Sequence, residues 1–183
     1  MKKEIRLTVE GTSPLLMHNP VSMAVGKGPT RTNNVPSPEE EAEKGCYRDS
    51  DGNLVFPAIA FRNALLRAAS GMKVGKKTLR SVLAHIQTSE EYVSLIDPET
   101  GEPLREYAID MRRAVVQKQG IVRARPKLEK WGAEIGLIVE TDIVPENISD
   151  ILKSVLDEAG RTVGVGDYRL ERGGWFGTFR VVS

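Results

Sequence analysis

Two segments of this chain place apolar residues along one side of a predicted helix, and a helix of this kind must be covered by another element. In residues 58–70 the apolar positions at helical spacing are Phe61, Ala64, Leu65 and Ala68. In residues 147–159 they are Ile148, Ile151, Leu152, Val155, Leu156 and Ala159. A third, shorter helix is predicted after Thr78, whose side chain can cap it. A sheet is the expected partner of the two longer helices.

The segments around these helices are typical of strands. Residues 4–10 alternate between apolar and polar side chains, which is the two-residue period of a half-buried strand. Further strands are predicted at residues 92–96, 132–141 and 178–182. The resulting order is the βαββαβ plan, with helices on one face of an antiparallel sheet. We therefore predict the α+β class and a single RRM-like or ferredoxin-like domain over residues 1–183.

A long insertion separates the first strand from the first helix. Residues 21–53 show almost no apolar periodicity and include an acidic run at residues 39–43. A structureless segment of this size inside a compact domain is usually functional or disordered and not simply a connector. Near its end, Asp51 and Gly52 lie between two β-prone runs and predict a hairpin turn.

The composition favours a cytoplasmic protein without a cofactor. The chain has 183 residues, 40 % of them hydrophobic, which suits one domain with one core. Its one cysteine, Cys46, has no partner for an internal disulfide, and no cluster of Cys and His has metal-ligand spacing. The N-terminus lacks the apolar run of a signal peptide, and no segment approaches about 18 apolar residues, so neither export nor membrane insertion is expected.

Charge is segregated along the chain, although the formal net charge is only +1. Residues 62–80 contain six basic residues and no acid, and residues 105–130 contain eight basic residues against three acids. Residues 134–158 contain seven acids and one lysine. This distribution permits a basic groove on one face and contact between the acidic side of one copy and the basic side of the next. The alternative is that both are merely solvated faces.

The basic segment at residues 107–125 is predicted to be an extended hairpin around Gly120. Arg123 and Arg125 are two residues apart, so in a strand they point to one side, where we expect both to be exposed. Such a stripe can follow a phosphate backbone. The candidate nucleic-acid-binding residues of this region are Arg112, Arg113, Lys118, Arg123, Arg125 and Lys127. The alternative is an exposed hairpin that only keeps the protein soluble.

A glycine-rich segment follows the last predicted helix. Five glycines lie within residues 164–177, where the lack of side chains lets backbone N–H groups approach a phosphate. Trp175 and Phe176 can stack on a base. The candidate binding residues of this segment are Arg169, Arg172, Gly173, Gly174 and Trp175. The alternative is a tight helix-to-strand turn with Trp175 or Phe176 in the core.

Two of these segments resemble the RAMP superfamily of CRISPR-associated proteins, especially its backbone subunits, which polymerise along a guide RNA. Residues 54–69, LVFPAIAFRNALLRAA, are similar to the family's short strand, proline, small-residue turn and arginine-bearing helix. Residues 163–181 are similar to the glycine-rich loop between the family's last helix and last strand. Ala58 stands where the family usually has glycine, and no counterpart of its catalytic aspartate loop follows the first strand. In its compactness the chain resembles the family's phage-encoded relatives.

The resemblance implies a subunit that binds single-stranded RNA or DNA mainly through the phosphate backbone, largely without sequence preference, and that is not an enzyme. It also implies a homo-oligomer, a head-to-tail helical filament, with other effector-complex proteins as further candidate partners. By the same resemblance, the insertion at residues 21–53 is a thumb that reaches over the strand or the adjacent subunit. The basic helix of the first segment adds Arg62 and Arg67 to the candidate binding residues. Two alternatives stay open: a metal-independent endoribonuclease of the same superfamily that uses His18, and a module that assembles with protein alone.

Overall fold

The computed structural model describes residues 1–21, 36–116 and 119–183, which form an α+β structure. Its strands are β1 (Lys2–Gly11), β2 (Leu15–Leu16), β3 (Val55–Pro57), β4 (Lys73–Val74), β5 (Lys77–Thr78), β6 (Gln87–Thr88), β7 (Tyr92–Ile96), β8 (Ala108–Val116), β9 (Gln119–Leu128), β10 (Gly132–Glu140) and β11 (Phe179–Val181). Its α-helices are α1 (Pro38–Lys44), α2 (Ala58–Ala68), α3 (Leu79–Leu83) and α4 (Ile148–Thr162).

The central sheet is antiparallel and has the strand order β11-β1-β10-β7-β3, with β6 also paired to β10. The pairing of β1 with β10 is its longest in the described residues. The alternation predicted for residues 4–10 is confirmed, because Ile5, Leu7 and Val9 are buried while the side chains between them are exposed or half-buried. The other three predicted strands correspond to β7, β10 and β11.

Helices α2 and α4 pack against each other and cover the apolar face of this sheet. The predicted apolar positions that are buried include Phe61, Ala64, Leu65, Leu152, Val155, Leu156 and Ala159. Phe61, Trp131 and Phe179 meet in the core with ring centroids 5.6 to 6.3 Å apart. Aromatic pairs at this spacing contribute about 0.5–1.5 kcal/mol beyond the burial of their surface. Helix α2 is therefore firmly placed relative to the sheet.

The basic segment forms the predicted hairpin, with β8 paired to β9 from Ala108↔Lys127 onward. Residues 117–118, between the two strands, lie outside the described residues, and Gly120 is part of β9. The free edge of β9 carries the short strand β2, whose Leu15 and Leu16 are completely buried. This hairpin and β2 form a second, three-stranded sheet beside the first.

Helix α1 belongs to the predicted insertion and packs on this hairpin. It begins with a capping box, in which the Ser37 hydroxyl accepts from the Glu40 N–H and the Glu40 carboxylate accepts from the Ser37 N–H. Its Ala42 is completely buried. Residues 36–53 are thus packed on the body of the protein, while residues 22–35 of the proposed thumb lie outside the described residues.

The predicted turn at Asp51 and Gly52 is confirmed, since Arg48 and Leu54 form a β-bridge around it. The Cys46 thiol is free and buried, and burial raises its pKa to about 12. Within the described ranges, no helix is both long enough and apolar enough to cross a bilayer.

The crossing of α4 over β11 depends on Gly160. A Cβ at this position would overlap the carbonyl group and ring of Phe179. We expect Gly160→Ala to lower the free energy of unfolding by about 1–3 kcal/mol, because overpacking forces neighbouring groups apart. Gly71→Ala is the matched control, since a Cβ there meets nothing within 4 Å. Denaturant unfolding of both variants gives the comparison, and equal stability would contradict the close packing.

Candidate nucleic-acid interface

The two segments that carry the family resemblance face each other across one cavity. One wall is the exposed side of α2, with Ile59, Asn63 and Arg67. The opposite wall is formed by residues 163–167, at the start of the glycine-rich segment, and His18 closes one side. The cavity has a volume of about 360 Å³. Helix α2 and the glycine-rich segment therefore belong to one continuous surface.

The glycine-rich segment (residues 163–178) follows a path that favours glycine at several of its positions, of which Gly166 and Gly174 are two. Gly166 has a φ of +81°, and a Cβ there would lie 2.6 Å from the carbonyl oxygen of Leu16. A Cβ at Gly174 would overlap the carbonyl group of Tyr168. The segment is consequently pressed against β2 and folded closely on itself.

A column of alternating guanidinium groups and aromatic rings joins this segment to the hairpin. The guanidinium carbon of Arg125 lies 5.1 Å from the ring centroid of Tyr168, and that of Arg112 lies 5.9 Å from the same centroid. Arg112 also lies 4.5 Å from the centroid of Phe176. The Phe176 and Trp175 rings are 4.3 Å apart with an interplanar angle of 33°. Trp175, at the end of the column, is 55 % exposed.

Arg125 occupies the buried end of this column. Strand alternation predicts exposure for both Arg123 and Arg125, but Arg125 is only 7 % exposed because the glycine-rich segment covers it. Its Nε lies 2.6 Å from the Asp167 carboxylate. This contact is an ion pair without an aligned hydrogen bond, and Nη1 has no hydrogen-bond partner among the described residues. Arg125 is therefore a structural residue, and the prediction that it is exposed was wrong.

The other basic candidates on the hairpin that the structure describes are mostly paired with acids of the same chain. The pairs are Arg112–Asp110, Arg123–Glu41 and Lys127–Glu129, with shortest N–O distances of 2.5, 2.8 and 2.6 Å. The Arg112 pair is bidentate, through Nε and Nη2. A paired guanidinium can still meet a phosphate, but only by sharing or losing its carboxylate partner. These residues alone do not make an open basic stripe.

The candidates on α2 are engaged as well. Arg62 donates to the carbonyl oxygen of Ile86 at 2.5 Å and so satisfies a backbone group after α3. Arg67 forms an ion pair with Glu171, and the Glu171 carboxylate also accepts from Arg169 at 3.0 Å. This three-residue network ties α2 to the glycine-rich segment. Arg62, Arg67 and Arg169 therefore stabilise the fold of the site.

Two of the predicted arginines are available for contact with a phosphate. Arg172 and Arg113 are exposed, and among the described residues neither has a carboxylate within 4.0 Å. Arg172 and Gly173 lie in the same turn as Trp175, whereas Arg113 lies on the face of the hairpin opposite Arg112. Lys118 lies outside the described residues. The surface around Trp175 and Arg172 is thus the open part of the predicted site.

His18 lies half-buried beside the Arg125–Asp167 ion pair. Burial lowers the pKa of its imidazole, the Asp167 carboxylate partly offsets this, and the positive charge of Arg125 lowers it further. The neutral imidazole, with one donor and one acceptor, therefore dominates at pH 7. Among the residues that the structure describes, no group of three or more His, Cys, Asp or Glu side chains is placed to hold a metal ion.

Reasoning from the sequence missed three residues that organise this interface. Asp167 holds Arg125, Asp110 holds Arg112, and Tyr168 lies between both guanidinium groups. The one local signal was the alternation of acidic, aromatic and basic residues in the run from Asp167 to Arg172. The pairing of Asp167 with Arg125 and the contacts of Tyr168 join positions that are far apart in the chain, so spacing could not predict them.

Charge reversal at Arg125 distinguishes a structural role from a binding role. We expect Arg125→Glu to lower the free energy of unfolding by about 3 kcal/mol or more, because it buries a carboxylate beside Asp167. Arg172→Glu is the control and should change stability by about 0.5 kcal/mol at most, since Arg172 is exposed. Chemical denaturation measures both. Wild-type stability in Arg125→Glu would show that the pair does not fix the hairpin to the segment.

Comparison with known proteins does not assign this chain to a family. The sequence matches no protein-family model, and no curated protein matches it. The resemblance to the RAMP superfamily therefore rests on residues 54–69 and 163–181 alone. What the chain does is inferred from the geometry of its own residues.

Proposed function

We propose that the chain binds single-stranded nucleic acid, RNA or DNA, mainly through the phosphate backbone, as one subunit of a head-to-tail filament. The observation that carries the proposal is the arginine and aromatic column that ends in the exposed Trp175. A base can stack on this ring, since every base has a π-face and such stacking contributes about 1–3 kcal/mol. Binding of this kind needs no catalytic group.

The side chains packed against Trp175 favour a stacking platform, meaning an exposed ring that is held in place for a base, over a ring that is exposed by accident. Phe176 lies against it, and the Arg112 guanidinium lies over the Phe176 ring. Asp110 holds that guanidinium by two hydrogen bonds. A ring supported in this way loses little freedom when a base stacks on it, so less of the stacking energy is spent on ordering. Arg172 supplies an unpaired charge for the adjacent phosphate.

The order of six elements of the central sheet and its covering helices is consistent with an RRM-like arrangement as part of the proposal. Along the chain, β1, α2, β7, β10, α4 and β11 follow the strand-helix-strand-strand-helix-strand plan. Both helices of that plan pack on one face of the sheet. In the proposed arrangement the strand lies against the glycine-rich segment and the β8–β9 hairpin, and not on the helical face.

The proposed contact between copies is electrostatic. Lys73, Lys76 and Lys77 lie in the β4–β5 hairpin, where every residue is exposed and, among the described residues, no carboxylate lies within 4.0 Å of these lysines. The acidic stretch at residues 134–158 offers exposed Glu140, Glu146 and Asp150 as the opposite face. Its other acids are engaged internally: Glu134 with Arg6, Asp142 with the terminal amino group, and Asp157 and Glu158 with Arg161. Contacts between unlike faces are heterologous and generate an open helix when they do not close into a ring.

Binding to labelled oligonucleotides tests the stacking platform. We expect Trp175→Ala to weaken binding about 5- to 150-fold, the equivalent of about 1–3 kcal/mol of stacking, and Arg172→Glu to weaken it further. Leu170→Ala, an exposed apolar residue of the same turn, is the control. The logarithm of the affinity should also fall with the logarithm of salt concentration, with a slope of about −0.7 for each phosphate contact on a single strand. A slope near zero, or unchanged binding in Trp175→Ala, would contradict the proposal.

Electron microscopy with and without a long single strand tests assembly. We expect wild-type protein to form filaments on the strand, and the variant Lys73→Glu/Lys76→Glu/Lys77→Glu to bind short oligonucleotides without forming them. Lys153→Glu, which reverses an exposed lysine of α4, is the control. Closed two-fold dimers in both samples would contradict a head-to-tail arrangement, and filaments without nucleic acid would favour assembly by protein alone.

A further inference from the structure

The cavity between α2 and the glycine-rich segment has no role in the stacking platform just described. Its volume of about 360 Å³ lies at the lower end of the range of about 300–1,000 Å³ that is usual for small-ligand pockets. A second hollow of about 380 Å³ shares Tyr47, Pro57 and Ile59 with it. The exposed rim is formed by residues of α2, so the cavity is accessible from the surface.

The walls combine apolar surface with a few polar groups. Tyr47, Phe56 and Ile59 supply aromatic and aliphatic surface, and the Tyr47 ring is held by Phe56 at a centroid distance of 6.0 Å. Asn63 and His18 supply polar edges. The Asn63 side chain makes no hydrogen bond to any described residue, and its amide offers both donors and an acceptor. This is the composition of a site that holds a flat polar ring by its faces and reads it by its edge.

The charged side chains around the cavity disfavour a phosphate as its occupant. Arg67 and Arg169, the basic residues of its lining, share the Glu171 carboxylate. A phosphate would have to displace that carboxylate and would also approach Asp167. A neutral base meets neither obstacle. The neutral His18 imidazole adds one donor and one acceptor without adding charge.

We propose that this cavity receives one unstacked base of the bound strand in each subunit, with Asn63 and His18 hydrogen-bonding to its edge. The inference rests on the proposed function and gives it a second, separate base site. The glycine-rich segment joins the two sites, since residues 163–167 line the cavity and Trp175 lies further along the same segment. The phosphates still supply most of the affinity, and the cavity adds a several-fold preference among bases.

The test compares a normal oligonucleotide with an abasic strand of the same length and phosphate number. In Trp175→Ala the platform is absent, so any remaining preference for the normal strand comes from another base site. We expect that preference to be about tenfold, and to disappear when Ile59→Trp is added to fill the cavity. Ile143→Trp is the matched control, because both isoleucines are 48 % exposed and Ile143 lies away from the cavity. Circular dichroism and thermal unfolding verify that each variant is folded.

Three outcomes separate the possibilities. If Trp175→Ala alone removes all preference for the normal strand, the cavity binds no base, although the proposed function stands. If wild-type protein binds neither strand, both the function and the cavity site are overturned. If preference persists and Ile59→Trp abolishes it, Asn63→Ala and His18→Ala should then reduce the differences in affinity among the four homopolymers. Unchanged differences in these two variants would overturn the edge contacts assigned to them.

Discussion

The ion pair between Arg125 and Asp167 determines how the rest of the surface is arranged. Arg125 belongs to β9 and Asp167 to the glycine-rich segment, whose backbone N–H at Asp167 also donates to the Leu16 carbonyl oxygen of β2. One residue thus attaches the segment to two strands of the second sheet. As a consequence, the Tyr168 ring lies over the Arg125 guanidinium, and the Phe176 and Trp175 rings lie further along the same column. A low-dielectric location strengthens the pair and makes the loss of either partner costly.

The distribution of charge looks different in three dimensions from its distribution along the chain. Most arginines in the two basic stretches are paired with carboxylates or hydrogen-bonded to backbone carbonyl groups of the same chain, as Arg112, Arg123 and Arg62 show. The formal net charge of +1 is therefore accompanied by local pairing of basic with acidic side chains. Among the described residues, the places that carry exposed positive charge without a carboxylate partner include the turn containing Arg172, the hairpin position of Arg113 and the β4–β5 hairpin. Long-range attraction of a polyanion would act through such unpaired charges first.

The elements with strong periodicity could be predicted from the sequence, and the site could be predicted only in part. Strand β1 and helices α2 and α4 each bury one face, so the period of their apolar residues determines their type. Strand β2 was missed because two buried leucines between a proline and a histidine are too short to show a period. The exposure of Trp175 was left open, since a tryptophan after two glycines suits a core turn as well as a surface. The burial of Arg125 depends on a partner 42 positions away, which no local pattern contains.

The two ends of the central sheet limit how copies of the chain can associate. Its outer strands, β11 and β3, are each three residues long, and β3 ends in Pro57, which has no N–H to donate. Short edges with a proline are poor templates for adding another strand. Association by backbone hydrogen bonds across the edges of the central sheet is therefore disfavoured, and so is the irreversible aggregation that it would bring. Contacts between copies at these two edges would depend on side chains, and they would come apart when conditions weaken those side-chain contacts.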